Sequence, residues 1–306
     1  MTLVSIIVPS FNQGRYIRET LDSILSQDHR PLEVLVLDGG SKDETVDVLR
    51  SYGDLPELQW WSEKDRGVID AINKGCARAR GEIVAVQSSD DLYTPGAVTA
   101  VVDAFRSDPA LGLVFGDVEY IDAASRVVGR THLPPFDVYE YVGKMTYIPQ
   151  PSAFFRAEAM QAVGPWREDI SYAADAEFYL RVALRYRVRQ LDRLLGRYRY
   201  HDEQRDTMSE RILRDWRAAV EPLTRDGDRK LRRYARSGID LASLRYEPES
   251  RWLRRTMAAY HAMLVNPAVL RSEEFRRTRD LFPGRYPIWK TLSRMKRLLG
   301  MAPRTR

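Results

Sequence analysis

Four short apolar runs, Leu3–Val8, Glu33–Leu37, Leu58–Trp61 and Ile83–Val86, each sit beside a segment of helical period. Ile17, Leu21, Ile24 and Leu25 recur on one helix face after the first run. Val46, Val48 and Leu49 follow the second, and Ile69, Ile72 and Cys76 follow the third. Strand and helix alternating at this spacing call for a parallel sheet, because a right-handed crossover is what returns the chain to lay the next strand beside the last. The expected fold class is therefore α/β with a mostly parallel central sheet. Asn12 is expected to cap the first helix and Ser41 or Asp43 the second, with Gly81 closing the third and Thr94-Pro95 opening a fourth. Farther on, Ala97–Phe105 and Ala174–Leu184 read as helices. Leu113–Tyr120, Arg126–Arg130, Ala153–Phe155, Val188–Leu191 and Arg197–Tyr200 read as strands, and the chain turns helical and Arg-rich from about 207.

In a parallel sheet the strand ends on one side form a rim, and ligands bind there. Four segments on that rim carry polar groups in order: Pro9-Ser10-Phe11-Asn12, Asp38-Gly39-Gly40-Ser41, Asp65-Arg66-Gly67 and Asp90-Asp91. Each taken singly is also what a turn or a helix cap looks like. The set of four is less easily assigned to turns. The adjacent carboxylates of Asp90 and Asp91 must be solvated, hydrogen-bonded or neutralised by a cation. A divalent-metal and diphosphate site is the functional reading of that rim.

The chain resembles the inverting family 2 glycosyltransferases, which have the GT-A fold. The matching residues are Ser5-Ile6-Ile7-Val8-Pro9-Ser10-Phe11-Asn12, Asp38 through Thr45, Glu63 through Gly75, and Ser89-Asp90-Asp91. Pro149-Gln150-Pro151-Ser152-Ala153-Phe154-Phe155-Arg156 and Asp175-Ala176-Glu177-Phe178-Tyr179-Leu180-Arg181 fit as well, so the resemblance covers roughly residues 3–205. It implies a catalytic domain over 1–205 and a basic helical extension over 206–306. It also implies roles. Asp38 would hydrogen-bond the nucleobase with backbone near Pro9 and Phe11, and Asn12 belongs to the same donor-binding rim. Asp65 and Arg66 would touch base or ribose, and Asp90 would approach the ribose. Asp91 would ligate Mn²⁺ or Mg²⁺, with His201 as a further ligand. Asp175 would be the catalytic base. The family's acidic residue before it is replaced by Ala174 here, which leaves Glu177 as a rival. Gln150 and Arg199 are secondary candidates, Arg199 and Arg156 as phosphate contacts.

This assignment suits the chemistry. A nucleoside diphosphate leaving group develops negative charge that a divalent ion neutralises. Inversion needs one base for the acceptor hydroxyl and no covalent intermediate. Asp175 also reads, more simply, as a helix-start charge paired with Arg181 or Arg185. The donor is expected to be a nucleotide sugar, UDP-linked, and the acceptor a glycan or lipid-linked hydroxyl in surface polysaccharide or cell-envelope assembly. Two alternatives stand beside this. One is an inactive sugar-nucleotide-binding scaffold, which the Ala174 departure allows. The other is a nucleotidyltransferase, which would want a Gly-rich basic loop after the first strand, where Pro9-Ser10-Phe11-Asn12 stands instead.

Charge separates the two parts of the chain. Residues 205–306 hold 25 Lys and Arg against 12 Asp and Glu, or +13, and residues 1–204 hold 23 against 31, or −8. Ile288, Leu292, Met295 and Leu299 recur at helical spacing with Lys290, Arg294, Lys296 and Arg297 between them. Such a helix over 286–299 is expected to touch an anionic membrane surface. No nucleic-acid reader motif accompanies the basic charge, so nucleic acid is not an expected partner. Cys76 is the sole cysteine, which excludes an intrachain disulfide. No apolar run approaches the ~18 residues of a membrane span. No signal peptide is expected, because the N-terminus runs straight into a strand-like segment. The expected location is cytoplasmic, peripheral on the inner face of the membrane.

Overall fold

The structure, a computed structural model, describes residues 1–144, 148–201, 209–246 and 252–266. The alternation seen in the sequence is realised as β1 (Val4–Ser10), α1 (Ile17–Leu25), β2 (Leu32–Asp38), α2 (Thr45–Arg50), β3 (Leu58–Ser62), α3 (Val68–Arg78) and β4 (Ile83–Val86). These four strands are parallel, in spatial order β3-β2-β1-β4. β5 (Leu92–Tyr93), α4 (Ala97–Ser107), β6 (Leu111–Ile121) and β7 (Val127–Arg130) come next. They are followed by α5 (Val138–Lys144), a single 3₁₀ turn at Gln150–Ser152, β8 (Phe154–Arg156), α6 (Ala157–Val163), α7 (Ala174–Ala183) and β9 (Arg187–Arg199). The sheet continues past β4 as β8-β6-β9-β5. β8 runs antiparallel to β4 and β6, β9 runs parallel to β6, and β5 is antiparallel to β9.

Strand alternation sends side chains to two cores, one on each face of the sheet. Ile6 and Val8 of β1 and Val34 and Val36 of β2 meet Ile17, Leu21 and Ile24 of α1 and Val98, Val101 and Val102 of α4. Ile7, Leu35, Leu37, Val84 and Val86 face the other way, toward Ile69 and Ile72 of α3 and Phe178 of α7. Burying one such aliphatic side chain contributes about 1.5–3 kcal/mol, so the period-2 pattern fixes the strand register.

After residue 208 come α8 (Ser209–Thr224), α9 (Arg229–Tyr246) and α10 (Trp252–Val265). Trp216, Ala219 and Val220 of α8 and Leu231, Ala235 and Ile239 of α9 belong to the same core as α7 and the sheet. α9 lies so close to α5 that a Cβ on Gly238 would overlap the carbonyl oxygen of Val142, which explains a glycine inside that helix. The segment 286–299 lies outside the described residues.

Several local expectations are corrected. Asn12 does not cap α1, which begins at Ile17 after Tyr16. Instead Asn12 takes a left-handed conformation, φ 52°, and its Oδ1 accepts the Lys42 amide at 2.9 Å. Ser41 turns back to Asp38, and Asp43 is what accepts the Thr45 amide at the start of α2. Gly81 lies beyond the end of α3, and α4 opens at Ala97 behind Gly96 rather than at Thr94. The two short strands expected at 188–191 and 197–200 form one strand, β9, whose pairing with β6 is interrupted by bulges near Gly116 and Asp117.

Candidate active site

The ends of β1, β2 and β3 interlock through hydrogen bonds before any ligand is considered. Asp38 ends β2 and is nearly buried, at 2% exposure. Its Oδ2 accepts the amides of Gly40 at 3.1 Å and Ser41 at 3.0 Å, and the Ser62 hydroxyl at 2.6 Å. Ser41 Oγ donates to Oδ1. The Asn12 amide in turn donates to Ser41 Oγ at 2.7 Å. Asp65 lies against this turn: a Cβ on Gly39 would come within 2.9 Å of its Oδ2. Phe11 stands at the same rim, 58% exposed. The result is a preformed ledge of backbone and carboxylate with an exposed aromatic ring on it.

Arg66 is drawn away from the ledge. Its Nη2 lies 2.7 Å from Asp70 Oδ1 and 2.9 Å from Glu168 Oε1, bridging the start of α3 to the chain ahead of α7. The Arg66 hydrogen bonds, assisted by Lys74, hold the Asp70 carboxyl well below the usual carboxylate range.

A second group forms where β4, β5 and β9 meet. His201 Nε2 is 2.9 Å from Asp90 Oδ2, and the imidazole packs 4.9 Å from the Tyr16 ring. Asp91, 2% exposed, accepts the Arg199 amide on Oδ1 at 2.8 Å. Gln150 reaches Ser88 Oγ at 2.9 Å and the Val86 carbonyl, so the 3₁₀ turn clamps the strand end that carries the acids.

Arg199 corrects an expectation. It is fully buried rather than aimed at a phosphate. Nε donates to the Asp90 carbonyl at 2.7 Å, Nη2 to Glu19 Oε2 at 2.9 Å and Nη1 to Ser125 Oγ at 2.8 Å. Its guanidinium lies 4.8 Å from the Tyr16 ring centre. One side chain thus ties the acidic pair to α1 and to the β6–β7 turn. Burial pushes the Glu19 carboxyl up, but hydrogen bonds from Ser125 and Arg199 outweigh it and hold the carboxyl below its usual value. Arg156 is likewise structural, donating to the carbonyls of Leu111 at 3.1 Å and Phe105 at 3.1 Å.

α7 carries both candidate bases and separates them by burial. Glu177 is 1% exposed, and Arg181 Nε contacts both its oxygens, at 2.9 and 3.0 Å. That arginine also donates to the carbonyls of Val163, Gly164 and Pro165. Asp175 lies in the first turn, half-buried, with its Oδ1 accepting the Ala176 amide at 2.8 Å. The Tyr141 hydroxyl donates to the Ala176 carbonyl at 3.2 Å. Burial, followed by the nearby Asp175 charge, pushes that hydroxyl well above the ordinary tyrosine value. Ala174 is packed in the core at 3% exposure, so an acid there would be a buried charge.

A divalent ion is what the sequence pattern implies, and the donor types at Asp90, Asp91 and His201 suit Mn²⁺ or Mg²⁺. Among the described residues no three His, Cys, Asp or Glu side chains form a ready cage. An ion there would be held by one or two carboxylates and completed by substrate phosphates, the usual arrangement for Mg²⁺. Sequence reasoning missed the contributions of Ser62, Glu19 and Ser125, since single polar residues at a sheet edge or on a helix surface carry no pattern.

Residues 5–161 match the family model described as glycosyl transferase family 2. A segment of 184 residues, 59% of the chain, is 32% identical to chondroitin synthase of Escherichia coli, of whose length it spans only 26%. A segment of 185 residues is 32% identical to an uncharacterized glycosyltransferase, Rv1514c, of Mycobacterium tuberculosis, covering 59% of this chain and 69% of that one. Among solved structures, S. aureus TarS 1-349 in complex with UDP-GlcNAc superposes with a TM-score of 0.65 at 17% identity, over 99% of this chain and 93% of that chain. The mannosyltransferase PcManGT from Pyrobaculum calidifontis, in complex with GDP-Man and Mn²⁺, gives 0.62 at 22% identity, over 98% and 88%. At those identities the likeness establishes the GT-A fold.

Proposed function

The chain belongs to glycosyl transferase family 2, and on that premise we propose that it is a metal-dependent inverting enzyme. It moves a sugar from a UDP-linked donor to a hydroxyl of a glycan or lipid-linked acceptor in surface polysaccharide or cell-envelope assembly. The observation that carries this reading is the His201–Asp90 contact at the strand end where Asp91 accepts the Arg199 amide and the Arg199 guanidinium holds the Asp90 carbonyl. The ledge at Asp38, Asp65, Phe11 and Asn12 receives the nucleoside. Asp90 lies toward the ribose, and Asp91 and His201 hold the ion. When bound, a divalent ion there supplies positive charge to the diphosphate leaving group.

Asp175 is the base, since Glu177 is occupied by Arg181. It takes the proton of the acceptor hydroxyl. The hydroxyl oxygen forms the new bond to the anomeric carbon from the face opposite the diphosphate, and the old anomeric C–O bond breaks to release nucleoside diphosphate. A TarS structure holding UDP-GlcNAc supports a UDP-linked donor, PcManGT with Mn²⁺ supports the ion, and the chondroitin synthase relative supports a glycan acceptor.

The test is a panel of nucleotide sugars with Mn²⁺ or Mg²⁺, read by thermal shift and by nucleoside diphosphate release. A UDP-sugar should raise the melting temperature by mass action and be slowly hydrolysed. Asp91→Ala should stay folded, with a lowered melting temperature because the Arg199 amide loses its acceptor, and lose metal-dependent turnover. Near-parental turnover in that variant sinks the metal assignment, and indifference to every nucleotide sugar sinks the function.

A further inference from the structure

We propose that Asp215, on α8, is a positioning residue for the base on α7, so that the helical extension completes the active site. The inference rests on the reading of Asp175 as the base. Asp215 is 1% exposed. Its Oδ2 accepts two consecutive backbone amides, Ser171 at 2.8 Å and Tyr172 at 2.9 Å. Its Oδ1 is held by Arg214 Nε at 3.0 Å. Those two amides lie just ahead of α7, whose N-cap is Ala173, a residue with no side chain able to cap. Asp215 instead fixes, from another element, the two residues that lead into that N-cap.

Neighbouring contacts act on the same turn. Arg211, one helical turn before Asp215, places its guanidinium 5.9 Å from the Tyr172 ring centre. Trp216 packs 6.1 Å from Tyr141, whose hydroxyl bonds the Ala176 carbonyl at 3.2 Å. α5 thus holds α7 at Ala176 and α8 holds the two residues ahead of the helix, with Asp175 between those points along the chain.

Apolar packing alone would join α7 to α8, as Phe178, Ala219 and Val220 in one core show. A buried carboxylate is costly unless its lone pairs are used. Here they go to amides three and four residues before Asp175 and so set where the first turn begins. A reacting group displaced by about 1 Å loses on the order of a hundredfold in rate.

The test uses the full chain and follows UDP release from UDP-N-acetylglucosamine with Mn²⁺, in a four-way set of parent, Asp175→Asn, Asp215→Ala and the double variant. Asp215→Ala, which removes the acceptor of both amides, should lower kcat by on the order of ten- to a hundredfold with donor KM unchanged. In the Asp175→Asn background the same change should cost little more, because misplacing an absent base has no consequence. Arg211→Ala, at the protein surface, should give a smaller loss of kcat with the same dependence on Asp175, and it serves if Asp215→Ala fails to fold. An unchanged kcat in a folded Asp215→Ala or Arg211→Ala protein overturns the proposal. So does an equal loss with and without Asp175, which marks a merely structural contact. If Asp175→Asn alone keeps full turnover, the base reading fails as well, and that result is separate from the other two.

Discussion

Asp175 and Glu177 show how two carboxylates two residues apart come to differ. Both lie in the first turn of α7. A rotation of about 200° about the helix axis separates them, which sends Glu177 into the core against Arg181 and leaves Asp175 half-buried. Asp175→Asn should therefore retain donor binding in a thermal-shift assay while turnover falls by ~10²-fold or more, the usual worth of a general base. Glu177→Gln should act on stability instead, because removing one partner of a buried pair costs about 3 kcal/mol. Its melting temperature should drop, with kcat per folded molecule kept. The reverse pattern, a stable Glu177→Gln without turnover, moves the base to Glu177. The sequence named both candidates. Only burial, a property of the packed helix, separates them.

At the scale of elements, helices approach as closely as their smallest residues allow. α9 crosses α5 at Gly238, where a side chain would meet the Val142 carbonyl. Gly238→Ala sets two effects against each other. Alanine gains about 1 kcal/mol of helix propensity, and forced overpacking costs about 1–3 kcal/mol. Because the obstacle is backbone rather than a flexible side chain, the overpacking should win. Thermal melts should show a lower midpoint for Gly238→Ala, and a higher one means that the helices separate easily. The Arg199 brace works at this scale too. It joins α1, the acidic strand end, the β6–β7 turn and β9 through one buried guanidinium, although the local sequence Tyr198-Arg199-Tyr200 gives no hint of a buried charge.

For the whole molecule, pH and surface charge give two expectations. Glu33 links β1, β2 and the turn into β4 through Ser5 at 2.5 Å and Arg80 at 2.7 Å. Burial pushes its carboxyl up, but the Ser5 and Arg80 hydrogen bonds together outweigh that and hold it below the usual value. Glu19 is lowered in the same way. A carboxyl lowered in the folded state adds stability that is complete above its unfolded pKa of about 4.3. That stability is lost as pH falls through the lower folded value. Melting temperature should therefore fall steeply below about pH 4.3, and Glu33→Gln should flatten the slope. An equal slope in that variant removes Glu33 from the account. The second expectation concerns 286–299, for which membrane contact is our proposal. Each basic residue near an anionic surface contributes ~1 kcal/mol, and salt screens it. Full-length protein should sediment with anionic vesicles at low salt, and a truncation after Pro283 should not. Full-length protein that ignores such vesicles ends the proposal.

The strand-helix alternation, the parallel direction of the first four strands and the rim on which Asp38, Asp65 and Asp90-Asp91 fall were all legible in the chain's own pattern, whereas the order β3-β2-β1-β4 was not. Those features depend on period and on order along the chain, and both are visible in one dimension. Tertiary structure alone decided that Arg199 is a buried brace and that Glu177 is sealed by Arg181. It also drew Arg66 to Asp70 and Glu168, and let Asp215, more than forty residues downstream, hold the amides ahead of α7. Each of these is a contact between single polar side chains far apart in sequence. The energy of such a contact depends on local burial and on which acceptors packing brings within reach, and no periodicity in the chain records either.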